Sequence, residues 1–479
     1  MAAAGVVALL VFAFFGHAFL NYDTFYALVW GDDLAHGRVP QYDVPVAPTP
    51  HPLAITIGAL VSPLGDSAED VLLALGILSM GALAVGLYRL GRESYAWPVG
   101  LLAGAIFITR VPPLNFGVRG YVDLPAIALI VWAAVLEARQ RRRGAAVLVL
   151  LGLAGLLRPE AWLFAGAYWL WLAPPLDRSG RLRLLALAAA APLIWGLSDL
   201  LVTGDALWSL HGTSETAAAL GRPRGLDDVP KVMPRRLGEI MRLPELLSAT
   251  IGFALGLAWL RRRTLLPAAV LVLNGVAFLV LAVGGLSLLG RYLFLAGAML
   301  SLFAALAVLG WSALEPGDPR VRRWQIGAIP LLAAILAFAP QQAGRLDDLR
   351  DDIANRDRVQ ADLHDLVRTR PAKQALDRCG RLFVPNHRPV PELAYWTGRR
   401  PKDIVSAARQ APTPDGLFVA PASAEAEKLS ILDPRDRTEP ATRPPGYREI
   451  ARNRSWVMYG GCDIARGPSG GRRSPGRSH

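Results

Sequence analysis

Long apolar runs alternate with short polar intervals from the start of the chain to residue 340, and beyond it no run is long enough to span a bilayer. A membrane-crossing helix needs about 20 predominantly apolar residues. Eleven stretches are candidates: 2–20, 68–88, 96–112, 121–138, 144–157, 160–174, 183–202, 245–260, 264–283, 287–310 and 325–340. The first has no basic leading region and no small-residue cleavage site before Asn21-Tyr22-Asp23, so it reads as a retained helix and not a cleaved signal. Segment 53–64 is apolar but short and is closed by Ser62-Pro63 and Gly65, which suits an interfacial or re-entrant helix. Past residue 340, Leu346, Leu349, Ile353, Val359, Leu363 and Leu366 approximate helical spacing and predict an amphipathic helix over 341–370. The β-like runs Leu382-Phe383-Val384, Leu417-Phe418-Val419 and Trp456-Val457-Met458-Tyr459, with helix-compatible stretches between, predict a small α/β domain. The pattern therefore predicts an all-α polytopic membrane domain over 1–340, an α/β domain over 341–465 and a disordered Gly/Ser/Pro/Arg tail over 466–479.

Composition agrees with this division. The 479 residues are 53% hydrophobic and 19% charged, with a mean hydropathy of +0.32, which is the profile of a membrane protein. Lys plus Arg (51) exceed Asp plus Glu (39). The arginines, however, stand in short clusters between apolar runs and are not interleaved with aromatics along one groove, which excludes a nucleic-acid partner. Their placement sets orientation, because short cytoplasmic loops are enriched in Lys and Arg. With the N-terminus cytoplasmic, one side receives Arg89/Arg92, Arg139 with Arg141 to Arg143, Arg178/Arg181/Arg183, Arg261 to Arg263 and Arg320/Arg322/Arg323. The long loops 21–67 and 203–244 and everything after 340 then lie outside. Cys379 and Cys462, both beyond residue 340, form a disulfide on that topology and would be two separate thiols on the opposite one.

Ionisable side chains at span ends are costly in lipid and tend to line a site. Here they gather on the expected outer side: Asp23, Asp32, Asp33 and His51 in the first loop, Arg119 and Asp123 in the second, Arg158 and Glu160 in the third, and Arg291 with Tyr292 near the tenth span. Carboxylates among arginines point to a reaction in which an acid accepts a proton while cations hold a phosphate. Asp23 is the expected base, and Arg119, Arg158 and Arg291 the anion clamp. Each has a plain structural reading when taken singly. Asp32 and Asp33 suit a solvated loop or a helix cap, Arg119 and Asp123 an i,i+4 pair, Arg110 an interface anchor and His51 a loop histidine. Only their shared placement favours chemistry.

At these residues the sequence resembles the GT-C polytopic glycosyltransferases that use polyprenyl-phosphate-linked sugars, in particular the protein O-mannosyltransferase and aminoarabinose transferase branch. That branch has an acidic residue, aromatics and a Trp after its first span, then a small-residue loop and a Pro. Asp23-Thr24-Phe25-Tyr26 to Trp30, followed by Leu34 to Pro40, runs in the same order. His51-Pro52-Leu53 is similar to its basic residue with prolines, and Leu90-Gly91-Arg92 to its glycine-basic pair. Arg119-Gly120-Tyr121-Val122-Asp123-Leu124-Pro125, the turn Leu157-Arg158-Pro159-Glu160 and the run Arg291-Tyr292-Leu293 follow its later motifs. A lysine of the family is His51 here, and another is Arg158.

The resemblance implies many helices around an outward-facing cavity, with Asp23 as base, Asp123 as a supporting acid, and His51, Arg119, Arg158, Glu160, Arg291 and Tyr292 binding substrate. The implied donor is a polyprenyl-phosphate sugar, of mannose or arabinose type, and the acceptor is a hydroxyl on protein, lipid or glycan. Some members bind a divalent metal and others do not, so no cofactor is assigned. No Gly-rich phosphate loop at a strand end suggests a nucleotide-sugar donor. The implied location is the plasma membrane, with the C-terminal domain extracytoplasmic. The competing expectation is a polytopic transporter, which often shows internal repeats and mid-span charges; no repeat is evident here, and the charges lie at span ends.

Overall fold

The computed structural model describes residues 2–430 and 442–462. The expected tail 466–479 lies outside the described residues. The chain divides after Ala354 into two compact units.

The first unit is helical. Among the described residues six helical segments are long and apolar enough to cross a membrane, the last of them, Pro319–Arg368, running on past Ala354, and a seventh crossing results if Trp97–Ile108 and Val111–Gly117, bent by 71° at their junction, are one span. The expected count of eleven spans is thus not confirmed. The first, fifth and sixth expected spans are the short helices Ala2–Phe15, Ala145–Gly155 and Ala161–Leu172, cut by Gly16, by the positive-φ Gly144 and by Pro159. Pro112 and Pro113 start the bend in the third, since proline accepts the first turn of a helix but cannot continue one. Segment 53–64 is the short helix Pro52–Val61 with a 3-10 turn after it.

Phe294–Leu309 is the central helix. It is apolar on every side and buried nearly throughout, as expected for an element surrounded by other helices. Helix Val229–Trp259 lies so close to it that a Cβ on Gly252 would collide with the Phe303 carbonyl oxygen. The expected outer loop 203–244 is mostly helical, through Trp208–Ala219 and the first half of Val229–Trp259. The latter is interrupted at Arg242, where φ is +60° just before Pro244.

The arginine-bearing helix ends meet in pairs. Arg139 reaches Glu93 at 3.0 Å, Arg263 donates to the Ala313 carbonyl at 3.1 Å, and Arg320 lies over Trp259. Arg110, expected as an interface anchor, is instead buried and paired with Glu245 at 2.7 Å.

In the second unit, β1 (Leu382–Val384), β2 (Ile404–Ser406), β3 (Leu417–Pro421), β4 (Arg448–Arg452) and β5 (Trp456–Gly460) form one sheet in the order β2-β1-β3-β5-β4. The β1 strand pairs parallel with β2 and β3, while β5 pairs antiparallel with β3 and β4. Phe383, Phe418, Ala420, Tyr447 and Val457 form its apolar core. Cys379 and Cys462 are joined by a disulfide with a Cα–Cα distance of 5.7 Å.

Candidate active site

Helix Tyr22–Ala35 begins with Asn21, whose side-chain oxygen accepts from the Asp23 and Thr24 N–H groups at 2.8 and 3.2 Å. Such a cap satisfies donors that the first turn leaves unpaired. The same side chain donates to the Arg119 carbonyl at 2.7 Å, and the Thr24 hydroxyl donates to the Gly120 carbonyl at 2.8 Å. The 119–123 turn is thereby fastened to the start of the helix that carries Asp23. Gly120 has a φ of +66° and makes the turn without strain.

Helix Pro52–Val61 packs against Tyr22–Ala35 where Gly58 meets Ala27, so closely that a Cβ on Gly58 would strike the Ala27 carbonyl. His51 occupies its N-cap, and Pro52 its first helical position. The Leu53 N–H donates to the Leu156 carbonyl at 3.2 Å, which brings His51 beside the Leu157-Arg158 turn. Arg291 lies in the 3-10 turn Gly290–Leu293. Asn274 holds that turn by donating to the Tyr292 carbonyl and accepting from the Ala296 N–H, each at 3.0 Å.

These anchors bring residues far apart in sequence into one buried network. Arg291 reaches Asp23 at 2.8 Å and lies 3.9 Å from Asp123. Arg158 reaches Glu160 at 2.6 Å and Asp123 at 3.3 Å, and stacks on Tyr292 at 4.4 Å. Asp123 is 2% exposed and Arg158 8%. Arg119 does not pair with Asp123; its guanidinium lies between the Phe19 and Tyr121 rings at 5.1 and 5.3 Å. Tyr121 also carries Arg291 at 5.9 Å on its ring. Asp32 and Asp33 stand apart from the network and pair with Arg38 at 2.7 and 2.8 Å.

Burial raises the Asp23 carboxyl, but the charge and hydrogen bond of Arg291 outweigh it and hold the group below the usual carboxylate range. The pKa of His51 is pushed down to about 3 by burial and then by the Arg158 charge. His51 is therefore neutral near pH 7 and does not add a cation.

The network is incompletely satisfied. Arg119 Nε, Arg291 Nε, Asp123 Oδ2, Glu160 Oε2 and His51 Nδ1 are buried without a hydrogen-bond partner. Buried polar atoms are normally paired, so such a concentration marks a place where a ligand completes the bonding. Sequence reading missed three contributors: Asn21 and Asn274, which look like ordinary polar residues, and Arg222 of the 203–244 loop, which lies within electrostatic reach of Asp23.

The residues present do not fit a resident divalent metal. Among the described residues no group of three or more His, Cys, Asp or Glu side chains could hold one, and the Arg291 guanidinium stands between the carboxylates of Asp23 and Asp123.

No protein-family model and no curated protein matches the chain. Solved structures do. The fold is similar to that of ArnT, an aminoarabinose transferase, from Cupriavidus metallidurans bound to undecaprenyl phosphate, with a TM-score of 0.54 at 12% identity over 97% of this chain and 98% of that one. The apo state of that protein gives 0.51 at 13% over the same shares. The oligosaccharyltransferase AglB from Archaeoglobus fulgidus, in complex with an inhibitory peptide and a dolichol-phosphate, gives 0.51 at 11% over 89% of this chain and 69% of that one. The chain thus shares its fold with ArnT and with this oligosaccharyltransferase.

Proposed function

We propose that the chain is a membrane glycosyltransferase that moves a sugar from a polyprenyl-phosphate donor to an acceptor hydroxyl on the extracytoplasmic face. The observation that carries this reading is the set of unpartnered buried atoms. Donor groups on Arg119 and Arg291 suit a phosphate, and acceptor groups on Asp123 and Glu160 suit sugar hydroxyls. Two of the similar structures were solved with a polyprenyl or dolichol phosphate, which accords with a lipid-phosphate ligand here.

The acceptor oxygen attacks the anomeric carbon, and its proton passes to Asp23. As the new glycosidic C–O bond forms, the bond from the anomeric carbon to the phosphate oxygen breaks. The electron pair leaves with the polyprenyl phosphate. Arg291 and Arg119 stabilise that anion. Arg158, already held by two carboxylates, orients Asp123 and Tyr292 and contributes its charge from behind. Asp23 is a weak base while Arg291 grips it. A donor phosphate that draws Arg291 toward itself frees the carboxylate, so donor binding precedes activation of the acceptor.

The test is sugar transfer from a panel of polyprenyl-phosphate mannose- and arabinose-type donors by the purified protein in lipid. Turnover of one donor, abolished in Asp23→Asn, supports the reading and names the sugar. Consumption of no donor, or an Asp23→Asn variant as active as the parent, removes it, and flux in proteoliposomes then tests the transporter alternative.

A further inference from the structure

Two interrupted helices meet outside the Asp23 network. Trp97–Ile108 bends by 71° into Val111–Gly117, with Arg110 at the corner. Val229–Trp259 breaks at Arg242, three residues before Glu245. The two breaks are joined by the 2.7 Å ion pair of Arg110 with Glu245. A third element reaches the same corner: Gln342, near the start of helix Ala339–Arg368, donates its side-chain N–H to the Thr109 carbonyl at 2.7 Å. Arg345 follows Gln342 by one turn of that helix, and Arg242 and Arg110 both lie within its electrostatic reach. Three guanidiniums from three parts of the chain are thereby brought to one place.

Only one of the three is fully used. Arg110 is 5% exposed and donates to Glu245, to the Ile106 carbonyl at 3.0 Å and to the Thr109 hydroxyl at 3.1 Å. Arg242 and Arg345 are half-buried, and among the described residues neither makes a hydrogen bond or ion pair through its side chain; Asp348 lies within electrostatic reach of Arg345 without pairing with it. Like charges repel strongly in a medium of low dielectric, so the arrangement favours an anion among them. Glu245, 4% exposed, keeps Oε2 without a hydrogen-bond partner, which leaves one acceptor for a donor from outside the chain. Leu243 and Leu247 beside it on one helix, and Leu336 and Phe338 ahead of Gln342, are exposed apolar side chains. The cations thus stand at the edge of an apolar surface, the setting in which arginines meet lipid headgroups.

We propose that Arg242 and Arg345 bind the phosphodiester of an anionic phospholipid with a hydroxyl-bearing headgroup, over a floor made by the buried Arg110–Glu245 pair, and that Glu245 Oε2 accepts a hydrogen bond from that headgroup. The exposed leucines alongside favour a lipid over free phosphate, because they give its acyl chains a surface. The occupant is a lipid of the surrounding bilayer and neither sugar donor nor acceptor, so the proposal stands apart from the transferase reading. Bound there, the phosphate relieves the repulsion between the guanidiniums and ties the breaks of two helices to the start of a third.

Native mass spectrometry of the full chain, delipidated in detergent and given phosphatidylglycerol, phosphatidylmethanol or phosphatidylcholine in equal amounts, reads the site directly. The parent protein is expected to retain phosphatidylglycerol about 10–100-fold more tightly than the double variant Arg242→Gln/Arg345→Gln does. Phosphatidylcholine, which has no net charge and no hydroxyl, is expected to bind parent and double variant alike. Phosphatidylmethanol, a diester of the same charge without a headgroup hydroxyl, is expected to fall between the two lipids on the parent. Arg235→Gln removes an exposed cation of the same helix and is expected to bind like the parent, and inorganic phosphate is expected to leave the lipid in place. Thermal unfolding without lipid shows which variants are folded. Arg345→Gln alone, a change on a half-buried helix position away from the break, is expected to weaken retention about tenfold and carries the test if the Arg242 change does not fold. Equal retention of phosphatidylglycerol by the parent and the folded variants, equal retention of phosphatidylglycerol and phosphatidylcholine by the parent, or an equal loss in Arg235→Gln overturns the proposal. Displacement by inorganic phosphate overturns the lipid as occupant, and phosphatidylmethanol matching phosphatidylglycerol overturns the bond to Glu245. None of these outcomes bears on sugar transfer, which fails or stands on its own assay.

Discussion

Helix Asp123–Arg139 carries a buried carboxylate at each end, and the two are treated in opposite ways. Glu137 accepts from the Arg142 N–H at 2.9 Å and the Tyr168 hydroxyl at 2.7 Å, with longer bonds from the Arg143 N–H and the Trp171 indole at 3.4 Å. Arg142, which follows the turn with a φ of +58°, also stacks on the Trp171 ring at 4.8 Å. Both oxygens of Glu137 are satisfied by parts of the chain itself. Asp123 faces two guanidiniums, yet its Oδ2 has no hydrogen-bond partner. The saturated carboxylate closes a loop between helices; under the proposed function the unsaturated one, in the same helix and as deeply buried, meets the substrate. Under that reading, satisfaction of hydrogen bonds separates the two ends of this helix, which burial and charge alone do not.

The largest effect that follows is at the base. Asp23→Asn is expected to lower transfer about 10²–10⁴-fold, the range for loss of a general base, with thermal unfolding of the membrane-embedded protein little changed because the amide keeps the Arg291 contact. Asp123→Asn is expected to lower turnover per folded molecule by about 10–100-fold, since Arg158 and Arg291 lose the charge that aims them. Activity normalised to folded protein measures both, and an Asp123→Asn protein as active as the parent would erase the contrast with Glu137.

Arg291 makes the pH dependence of transfer informative. A base must be ionised, so the rate falls as pH drops through its pKa. Arg291 holds the Asp23 pKa below the usual carboxylate range, which places the acid limb of kcat/KM below that of an ordinary carboxylate base. In Arg291→Gln the burial that raises the pKa loses its main opponent, and the limb is expected to move to higher pH. In the parent protein, a donor that draws Arg291 away puts the kcat limb above the kcat/KM limb. Coincident limbs in the parent, together with an unmoved limb in Arg291→Gln, would show that Asp23 is not the titrating base.

Much of the site was legible because charge beside a long apolar run is conspicuous. Asp23, Asp123, Arg158, Glu160 and Arg291 could each be found that way. Their pairing could not: the Arg291–Asp23 contact joins residues 268 apart and depends on Asn21 and Asn274, whose role is geometric and leaves no pattern. The neutrality of His51 was equally hidden, since it comes from neighbours that only the fold supplies. For the fold, the apolar period revealed where helices lie but not where they break. Pro112-Pro113 was a visible cause of a bend, whereas the positive φ at Arg242 has no residue signature. In the second unit β4 escaped notice because Arg448-Glu449-Ile450-Ala451-Arg452 is a charged edge strand, a design that protects sheet edges and resembles a loop.

The smallest effect on chemistry is expected at the other end of the helix. Glu137→Gln keeps the shape of the side chain but weakens four charge-assisted or polar bonds at once, and whichever way the amide turns, its NH2 cannot accept from the backbone N–H of Arg142 or of Arg143 that it then faces. A buried polar group left mismatched costs about 1–3 kcal/mol, so thermal unfolding of the first unit should shift downward. Transfer per folded molecule should stay within about twofold, because the lost bonds fasten the 142–144 turn to the Ala161–Leu172 helix and touch none of the groups around Asp23. Loss of stability with unchanged turnover at Glu137, set against loss of turnover at Asp123, would locate the division between framework and chemistry within a single helix. Equal losses of turnover at both ends would mean instead that the helix transmits strain along its length, and that satisfaction of hydrogen bonds does not mark the site.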